Sequence, residues 1–596
     1  MYVCRLVIRN FRNFRQLDIH LSAGVTCFIG ENNVGKSNLV DAVRLVLDSS
    51  LPGFRRKLQA SDFSSGVGFA QGEQILVAIE FAGFTGNAVE EALPFDALIG
   101  PDRARITYRF RPIATVREAL ANDTEGVLPL KLTDYRWEMV GGGDAVDLLS
   151  LAWNEDFGSY FRSENLQQSF LVTLMGALRD VEASLGHARN SPLQQIVEQR
   201  QIPAAEQLEL VERLKSANAS INASEAVKAI GVQLTDSFQT AVGATFGMGV
   251  RLGLGEPTFA DISRSLKVLL SGYGMTDIDP SRNGLGLNNI LYISMLLASF
   301  EQRVKDGKSA GQLLLVEEPE AHLHPQLQRV LLATLQSRNV QVFITTHSTH
   351  IASALPLASQ VILTSGGTAE TSSVSPISIA QLLPPDQADL ERYLDATRSS
   401  LLFARAVLLV EGPAEQFLIP PLVKQVMGID LDQKGIAVIP IYGTHFSVYA
   451  KLFGPDAIRK KCAIVADGDL APTDAGITEI DPDLDDVTAT EPLLDALRNE
   501  FVEVFQSRTT FEPELTLKGN LAILAQAAGE LGAPRVRQKL VTASSQDKPD
   551  LNALGKTVLN TAKRFGKARF AQVVSSKIGS GNELPDYIRR AIDWIA

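Results

Sequence analysis

Cysteines and long apolar runs are scarce in this chain. Only three cysteines occur in 596 residues, and Cys4, Cys27 and Cys462 each lie inside an apolar, strand-like stretch. This pattern argues against a disulfide framework and favours a reducing compartment. No run approaches the roughly 18 apolar residues that cross a bilayer, and residues 1–6 have the pattern of a strand rather than of a signal peptide. We therefore expect a cytoplasmic protein with no membrane partner.

Internal repeats, low-complexity tracts and sustained heptads are missing as well. Their absence excludes solenoid architectures and a long coiled-coil arm. Hydrophobic residues make up 45% of the chain and charged residues 21%, which is typical of a globular protein. A chain of this length has room for roughly two to four domains.

The formal net charge of −12 is unevenly distributed. Residues 463–500 hold eleven Asp and Glu and a single Arg, whereas residues 501–596 hold fourteen Lys and Arg against nine acidic residues. Residues 1–60 hold nine basic and four acidic residues. An acidic segment between basic ones suits a metal-dependent site that acts on a polyanion. Acidic loops that serve only solubility are the alternative explanation.

The most specific motif is a phosphate-binding loop between an apolar strand and a helix, Gly30-Glu31-Asn32-Asn33-Val34-Gly35-Lys36-Ser37. Its glycines allow backbone N–H groups to surround phosphates at the helix N-terminus. Lys36 is expected to reach the β- and γ-phosphates, and the Ser37 hydroxyl is expected to ligate Mg²⁺. The residues predicted to bind ATP here are Gly30, Asn32, Asn33, Gly35, Lys36 and Ser37.

The partner strand of this loop lies far along the chain. About 275 residues separate Ser37 from the apolar strand Leu313–Val316, which leads into Glu317 and Glu318. This separation predicts a split ATPase head of the ATP-binding-cassette (ABC) type, whose heads act in pairs. Glu317 is expected to hold the magnesium ion and Glu318 to position the attacking water. A surface acidic turn is the alternative interpretation.

Two further segments fit positions of a cassette ATPase. His347 follows a predicted strand, at the place of a switch histidine that contacts the γ-phosphate. Gly284 and Gly286 precede a predicted helix, whose N-terminal amides suit the γ-phosphate of a nucleotide on a second subunit. His322 and His324 could bind a metal, but we favour a turn at a dimer interface.

A second set of carboxylates follows two apolar strands near the middle of the chain. Glu411 and Glu415 come after Val407–Val410, and Asp467 and Asp469 come after another strand about fifty residues later. The carboxyl ends of parallel strands share one edge of a sheet, so these side chains are expected to meet there. Such carboxylates bind Mg²⁺ or Mn²⁺, and two ions could drive phosphodiester hydrolysis.

Taken together, these motifs resemble the OLD (overcoming lysogenization defect) family of ATP-dependent endonucleases. The resemblance implies an α/β fold, with an ABC-type P-loop ATPase head that carries a helical insertion, followed by a C-terminal Toprim domain. It rests on the phosphate-binding loop, on both pairs of Toprim carboxylates and on two segments, Ile8-Arg9-Asn10-Phe11-Arg12-Asn13-Phe14 and Glu317-Glu318-Pro319-Glu320-Ala321-His322-Leu323-His324-Pro325.

The family also implies ligands, partners and two more site residues. Its later metal-binding glutamate corresponds to Glu512, with Glu514 as a close competitor, and its active-site lysine corresponds to Lys567, with Lys563 as a competitor. ATP with one Mg²⁺, and two Mg²⁺ or Mn²⁺ ions at the Toprim carboxylates, are the implied cofactors. DNA is the implied substrate, a homodimer or higher homo-oligomer the implied assembly, and a helicase a candidate partner.

We predict an ATP-regulated, divalent-metal-dependent DNA endonuclease in anti-phage defence or DNA processing. Its predicted catalytic residues are Glu318, His347, Glu411, Asp467 and Lys567. Three alternatives are a RecF-like ATPase in DNA repair without nuclease activity, a topoisomerase-like enzyme, and a binding module with a degenerate Toprim domain. The first leaves the second carboxylate set unexplained, the second lacks a DNA-gate domain with a catalytic tyrosine, and the third does not fit the intact carboxylates.

The expected domain order follows from these motifs and from the periodicity of apolar residues along the chain. Strands are expected to resume near Val250–Leu252 and Ser265–Leu270. The predicted domains are an ATPase part over 1–154, a helical insertion for dimerisation over 155–240, a second ATPase part over 241–390 and the Toprim domain over 400–596.

Overall fold

The structure is a computed structural model. It describes residues 1–67, 72–86, 88–122, 130–143, 146–162, 164–176, 192–200, 202–243, 248–272, 274–282, 284–305, 311–338, 340–365, 374–378, 382–442, 446–455, 457–468 and 494–596. The chain forms two compact units. The first comprises Met1–Leu174, Leu313–Glu320 and Pro325–Ala596, and the second comprises Met175–Gln312 and Ala321–His324.

The strands of the described residues are numbered here in chain order. They are β1 (Tyr2–Phe11), β2 (Phe14–His20), β3 (Val25–Gly30), β4 (Ile75–Ala82), β5 (Leu98–Gly100), β6 (Arg103–Pro112), β7 (Tyr135–Gly141), β8 (Ser159–Tyr160), β9 (Phe170–Met175), β10 (Leu270–Gly272), β11 (Met275–Ile278), β12 (Gly311–Glu317), β13 (Gln341–Thr346), β14 (Gln360–Ser365), β15 (Val374–Ser378), β16 (Ala406–Val410), β17 (Ile436–Pro440), β18 (Cys462–Ala466) and β19 (Val502–Gln506).

Two sheets build the N-terminal part of the first unit. One is antiparallel, with the order β2-β1-β4-β6-β7-β8 and with β5 beside β6. The other has the order β15-β14-β3-β13-β12-β9, and β12, β13, β3 and β14 run parallel. The helix Lys36–Leu47 contacts β3 as well as β4 and β6, so its apolar side chains join both sheets in one core.

The order of the second sheet explains how a phosphate loop and a strand about 275 residues away form one site. Because β13 lies between β3 and β12, the phosphate loop, Glu317 and the residues after β13 all leave the same sheet edge. The other helices of this part of the first unit are Ala88–Ala92, Ala114–Asn122, Glu164–Ser169, Pro325–Gln336, Thr349–Ala352 and Pro384–Tyr393.

The C-terminal part of the first unit is a parallel sheet with helices. Its order is β17-β16-β18-β19. All five residues of β16 and of β18 are buried, as expected for central parallel strands. The helices are Pro413–Met427, Phe446–Ala450, Phe511–Leu515, Leu521–Glu530, Pro534–Ser544, Leu551–Phe565, Lys567–Ser575 and Asp586–Ile595.

The second unit is mainly helical. Its only described sheet pairs β10 with β11. Its helices are Pro192–Gln199, Ala204–Asn222, Glu225–Val242, Phe259–Ser265 and Leu285–Lys305. In the part of the chain that the structure describes, no helix is long and apolar enough to cross a membrane.

The prediction of strands near Val250–Leu252 and Ser265–Leu270 is wrong. Residues 250–258 have no regular structure, and two of their amides donate to side chains of neighbouring helices. The Val250 N–H donates to the Thr235 hydroxyl at 2.8 Å, and the Leu254 N–H donates to Asn222 Oδ1 at 2.7 Å. The strand after this segment begins only at Leu270.

Two strands lie within residues 155–240, which the sequence predicts as a helical insertion. The two-residue strand β8 extends the antiparallel sheet, and β9 takes the edge of the parallel sheet beside β12. The six residues of β9 form an apolar run, Phe-Leu-Val-Thr-Leu-Met, which is too short for a typical helix. The helical periodicity of this region lies in the helices Ala204–Asn222 and Glu225–Val242.

Candidate nucleotide site and candidate nuclease centre

The phosphate loop joins β3 to the helix Lys36–Leu47 through a left-handed backbone. Gly35 has a φ of 107°, and a Cβ there would lie 2.2 Å from Nδ2 of Asn13. A Cβ on Gly30 would lie 2.7 Å from the carbonyl oxygen of Leu363 on β14. Both glycines are therefore required by packing as well as by the turn. Asn32 and Asn33 are exposed at the tip of the loop.

Lys36 is folded back into this loop. Its Nζ donates hydrogen bonds to the carbonyl oxygens of Gly30 at 2.7 Å and Glu31 at 2.8 Å. Burial lowers the pKa of Lys36 to about 8, against the attraction of nearby carboxylates such as Glu318. The Lys36 ammonium is thus held inside the phosphate loop. A bound phosphate could replace the two carbonyl oxygens as its hydrogen-bond partner.

Ser37 and Glu317 meet in the structure. Burial raises the pKa of Glu317, and the nearby Ser37 hydroxyl opposes this shift by stabilising the charged carboxylate. A hydroxyl and a carboxylate in contact at the end of a phosphate loop form a suitable oxygen pair for Mg²⁺. This contact joins the two motifs that are far apart in the sequence.

Glu318 and His347 face each other beside this pair. Oε1 of Glu318 lies 3.8 Å from Nε2 of His347, and Glu318 has a φ of 47°, which is unusual for a residue with a side chain. Burial and the charge of Lys36 lower the pKa of His347, which favours the neutral imidazole. Strained backbone of this kind concentrates at functional sites.

Glu320 is a residue of this site that motif reading missed. Its Oε1 accepts hydrogen bonds from the His347 N–H at 2.7 Å and from the Thr346 hydroxyl at 2.8 Å. Burial raises its pKa, and its Oε2 has no hydrogen-bond partner among the described residues. The carboxylate therefore fixes the loop that carries His347. The signal was the third carboxylate of Glu-Glu-Pro-Glu, two positions after Glu318.

The glycine segment lies in the second unit, at the start of the helix Leu285–Lys305. A Cβ on Gly284 would meet nothing within 4 Å, whereas a Cβ on Gly286 would lie 2.4 Å from the carbonyl oxygen of His322. Gly286 is therefore needed for packing against the turn that contains the two histidines. Asn289 is 1% exposed, and its amide has no hydrogen-bond partner among the described residues.

The Toprim carboxylates converge at the carboxyl edge of the parallel sheet. Glu411 follows β16 and Asp467 follows β18, and the Asp467 N–H donates to Oε1 of Glu411 at 2.6 Å. Gly468 is confined by the chain after β19, because a Cβ there would lie 2.3 Å from the carbonyl oxygen of Ser507. Burial and the neighbouring Glu411 raise the pKa of Asp467 well above its ordinary range.

Glu415 and Glu512 enlarge this cluster. Burial raises the pKa of Glu415 to about 7, with Glu411 and Glu512 adding to the effect. Glu512 is 2% exposed, and Lys567 Nζ lies 3.2 Å from its Oε2. Burial would lower the pKa of Lys567, but Glu512 and Asp467 raise it. One ammonium thus faces several buried carboxylates.

Glu514 and Lys563, the alternatives to Glu512 and Lys567, have other surroundings. Glu514 Oε1 accepts hydrogen bonds from the N–H groups of Arg508 and Thr509 and from the Thr509 hydroxyl, each at 3.1 Å. This carboxylate therefore holds the chain before the helix Phe511–Leu515. Lys563 is exposed near the end of the helix Leu551–Phe565.

Tyr587 is a second residue that motif reading missed. Its hydroxyl is buried and has no hydrogen-bond partner among the described residues. Burial raises its pKa, and the charges of Asp467 and Glu415 raise it further. The phenol lies near the carboxylates on the amphipathic helix Asp586–Ile595, where the sequence pattern marks it only as a core residue.

The carboxylate cluster fits a divalent cation. Glu512 Oε1 is buried without a hydrogen-bond partner in the described part of the chain, and Asp467 and Glu415 favour protonation unless a positive charge joins them. Among the described residues no three His, Cys, Asp or Glu side chains already close around one point. Asp469, predicted as a further ligand, lies outside the described residues.

Comparison with protein families connects these sites to known domains. Residues 1–218 and 152–352 match the model of an AAA ATPase domain, and these matches cover more than half of the chain. The chain belongs to this AAA ATPase family. Residues 402–469 match the model of the Toprim domain of overcoming lysogenization defect protein-like proteins. The predicted ATPase head, Toprim domain and OLD resemblance are confirmed, and such domains use a nucleotide and a divalent metal.

Several curated relatives carry nuclease names. The chain is 32% identical to the Old nuclease of Escherichia phage P2 over 235 residues, which cover 37% of this chain and 39% of that protein. It is 24% identical to the OLD nuclease of Thermus scotoductus over 459 residues, 74% of this chain and 77% of the relative. The endonuclease GajA of Bacillus cereus is 22% identical over 75% of this chain and 72% of its own length.

Among solved structures, the C-terminal region of the Burkholderia pseudomallei OLD protein matches with 29% identity and a TM-score of 0.25. The match covers 32% of this chain and 97% of that structure.

Proposed function

We propose that this protein is an ATP-regulated, divalent-metal-dependent DNA endonuclease. The observation that carries the proposal is the cluster of Glu411, Glu415, Asp467 and Glu512 around the Lys567 ammonium. These carboxylates, with Asp469, would hold two Mg²⁺ or Mn²⁺ ions, which supply water activation and leaving-group stabilisation when bound. Lys567 would neutralise the scissile phosphate.

We assign the ATPase chemistry to the first cluster. Lys36 would contact the β- and γ-phosphates, and Ser37 with Glu317 would hold one Mg²⁺. Glu318 would orient the attacking water and His347 would contact the γ-phosphate, with the neutral imidazole as a hydrogen-bond donor. Gly30, Asn32, Asn33 and Gly35 would surround the phosphates.

We propose that two copies of the chain assemble through the ATPase heads, with Gly284 and Gly286 of one copy completing the site of the other. The helices Ala204–Asn222 and Glu225–Val242 would add a dimer contact, because they expose many large apolar side chains. These side chains are Leu208, Leu210, Ile221, Ile230, Val232, Leu234, Phe238 and Val242.

The remaining assignments complete this proposal. Residues 1–154 and 241–390 would form the ATPase together with β8 and β9, the helices of 155–240 would form the dimerisation insertion, and 400–596 would form the Toprim nuclease domain. The three cysteines are free and buried, which agrees with a cytoplasmic location. A helicase remains a candidate partner in anti-phage defence or DNA processing.

One experiment tests the nuclease assignment directly. Purified protein is incubated with supercoiled plasmid and Mg²⁺ or Mn²⁺, with and without ATP, beside the variant Asp467→Ala. We expect nicking or cleavage by the wild type, none with EDTA or in Asp467→Ala, and ATP hydrolysis that is largely retained in the variant. Glu411→Ala should behave in the same way.

The controls separate this function from its nearest rival. Lys36→Ala should lose ATP binding while its Toprim carboxylates stay intact. If the wild type hydrolyses ATP but never cuts DNA with any divalent ion, a RecF-like ATPase without nuclease activity is the better assignment. Cleavage that survives in Asp467→Ala would remove the Toprim cluster from the reaction.

A further inference from the structure

A short turn after the phosphate-loop helix displays an aromatic ring and two cations to solvent. We call residues Gly53–Lys57 the Phe54 turn. Phe54 is 76% exposed, and Arg55 and Lys57 are exposed as well. Among the described residues no carboxylate pairs with Arg55 or Lys57. An exposed phenylalanine followed by two unpaired cations is not explained by the ATPase or by the Toprim cluster.

The turn is rigidly attached to the ATPase core. Arg56 points inward, where Nε donates to the Leu45 carbonyl at 3.1 Å and a second guanidinium nitrogen donates to the Asp48 carbonyl at 2.6 Å. The Tyr108 hydroxyl donates to the Arg56 carbonyl, and Leu58 is 5% exposed. Because Arg56 and Leu58 are anchored in the core, Phe54, Arg55 and Lys57 are held toward the solvent.

The surface beside the turn is concave and positive. A cavity of about 510 Å³ is lined by four basic and two acidic side chains, among other residues. Arg12 pairs with Asp41 and Asp62, and Arg44 pairs with Asp48. Arg55 and Lys57 are thus the cations whose charge is left for an external anion. The charged lining residues are Arg12, Asp41, Arg44, Arg55, Lys57 and Asp62.

We propose that the Phe54 turn is a docking surface for single-stranded DNA. An exposed aromatic ring can stack on a base only where that base is unpaired, and neighbouring Arg and Lys side chains bind the phosphates on either side. This chemistry fits single strands better than duplex, whose bases are already stacked. The proposal rests on DNA as the substrate of the protein and adds a contact on the ATPase part.

The position of the turn links this contact to the nucleotide. Asp41, Arg44 and Leu45 line the cavity and belong to the helix that begins at Lys36. DNA on the Phe54 turn would therefore lie along the helix whose N-terminus binds phosphate. A strand held here would therefore contact the helix that carries Lys36 and Ser37.

Fluorescence anisotropy of a labelled single-stranded oligonucleotide tests the proposal. The full chain is titrated in EDTA, so that binding is measured without cleavage. We expect Phe54→Ala to raise the Kd by roughly 5- to 150-fold, and Phe54→Trp to keep the Kd near the wild-type value. Arg55→Ala should lower the slope of log Kd against log salt by about 0.7.

A matched control is available on the same unit. Phe95 is 70% exposed but is followed by Asp96 and has no cation beside it in sequence, so Phe95→Ala should leave the Kd unchanged. Duplex of the same sequence should respond less to Phe54→Ala than the single strand does. Circular dichroism checks that each variant is folded, which is expected because both side chains are exposed.

Three outcomes would overturn the proposal. The first is an unchanged Kd for the single strand in Phe54→Ala. The second is an equal rise of that Kd in Phe95→Ala. The third is a higher Kd for ATP in Phe54→Ala with an unchanged Kd for DNA. The last outcome would make the turn part of the nucleotide site. Because the assay contains no divalent ion, its result is independent of whether the wild type cuts plasmid, which tests the nuclease assignment separately.

Discussion

Lys567 is the residue at which the nuclease proposal is most directly tested. Its Nζ lies 3.2 Å from Glu512, and its positive charge opposes the raised pKa of Asp467. Lys567→Ala should slow DNA cleavage by about 10²-fold, because one group that stabilises charge on the reacting phosphate is lost. It should still bind Mn²⁺, since the carboxylates remain. Plasmid nicking rates and calorimetric Mn²⁺ titration measure the two effects.

Lys563→Ala is the matched control for this change. It removes an exposed lysine four positions earlier, from the helix Leu551–Phe565. We expect its nicking rate to equal that of the wild type. Equal losses in both variants would mean a general effect of positive charge on DNA binding rather than a role at the phosphate.

Glu318 is the residue that tests the ATPase assignment. Glu318→Gln keeps the shape of the side chain but removes its charge beside His347. ATP hydrolysis should fall by at least about 10²-fold while ATP binding is retained, because the phosphate contacts of Lys36 are unaffected. Phosphate release and equilibrium binding of ATP separate the two. Undiminished turnover would move the catalytic role to another group, with Glu320 the nearest candidate.

At the scale of single elements, a buried lysine lies two residues before β18. Lys460 is 5% exposed, and its Nζ donates to the carbonyl oxygens of Leu402 at 3.1 Å and Ala404 at 2.6 Å. Burial lowers its pKa to about 8 from the ordinary value of 10.5. Between these two pH values the unfolded chain binds the proton and the folded chain does not, so folding stability rises with pH.

A variant measures this contribution. The stability of the wild type relative to Lys460→Met should increase by about 3 kcal/mol between pH 8 and pH 10.5, and should be constant below pH 8. Urea unfolding at a series of pH values gives the difference and cancels the titration of other groups. A difference that does not change with pH would mean that Lys460 keeps its ordinary pKa in the folded protein.

At the scale of the whole molecule, one ion pair connects the phosphate loop to the Toprim sheet. Arg405 Nε lies 3.2 Å from Glu31 Oε2, and Arg405 immediately precedes β16, whose far end leads into Glu411. One five-residue strand therefore separates the nucleotide loop from a proposed metal ligand. This strand is a short route by which ATP could alter the nuclease centre.

Arg405→Ala tests this route. The ratio of DNA cleavage rates with and without ATP should move toward one, because the loop no longer contacts the strand. ATP hydrolysis alone should be little changed, since the Arg405 side chain is 71% exposed and Glu31 is not among the residues assigned to the phosphates. Lys434→Ala, an exposed lysine of the same domain, is the control. A normal response to ATP in Arg405→Ala would exclude this contact as the link.

Pairing of two chains has its own test. Lys36→Ala and Gly284→Asp should each lose ATP hydrolysis, and a mixture of the two should recover part of it, because one hybrid site is intact. Gly284 suits this experiment because its missing Cβ faces open space, whereas any side chain on Gly286 would strike the His322 carbonyl and unsettle packing. Phosphate release from mixed variants is measured, and no recovery at any ratio would contradict shared sites.

Local patterns in the sequence determined the phosphate loop, its strand and helix, and the strands that lead into Glu317, Glu411 and Asp467. These features could be predicted because each depends on neighbours in the chain: an apolar run, a glycine turn and the polar residues that follow. Their order along the chain was also enough to indicate an ATPase head followed by a Toprim domain, which the family matches confirm.

Only the tertiary structure decided between residues that look alike in sequence. Glu512 and Glu514 lie on one short helix, and Lys563 and Lys567 are one helical turn apart in sequence, so spacing cannot say which faces the cluster. Glu320 and Tyr587 acquire their surroundings from strands and helices that are distant in the chain. In residues 250–258, where strands were predicted, Val250 and Leu254 donate instead to side chains of two helices. Contacts between distant segments depend on packing, which no local pattern records.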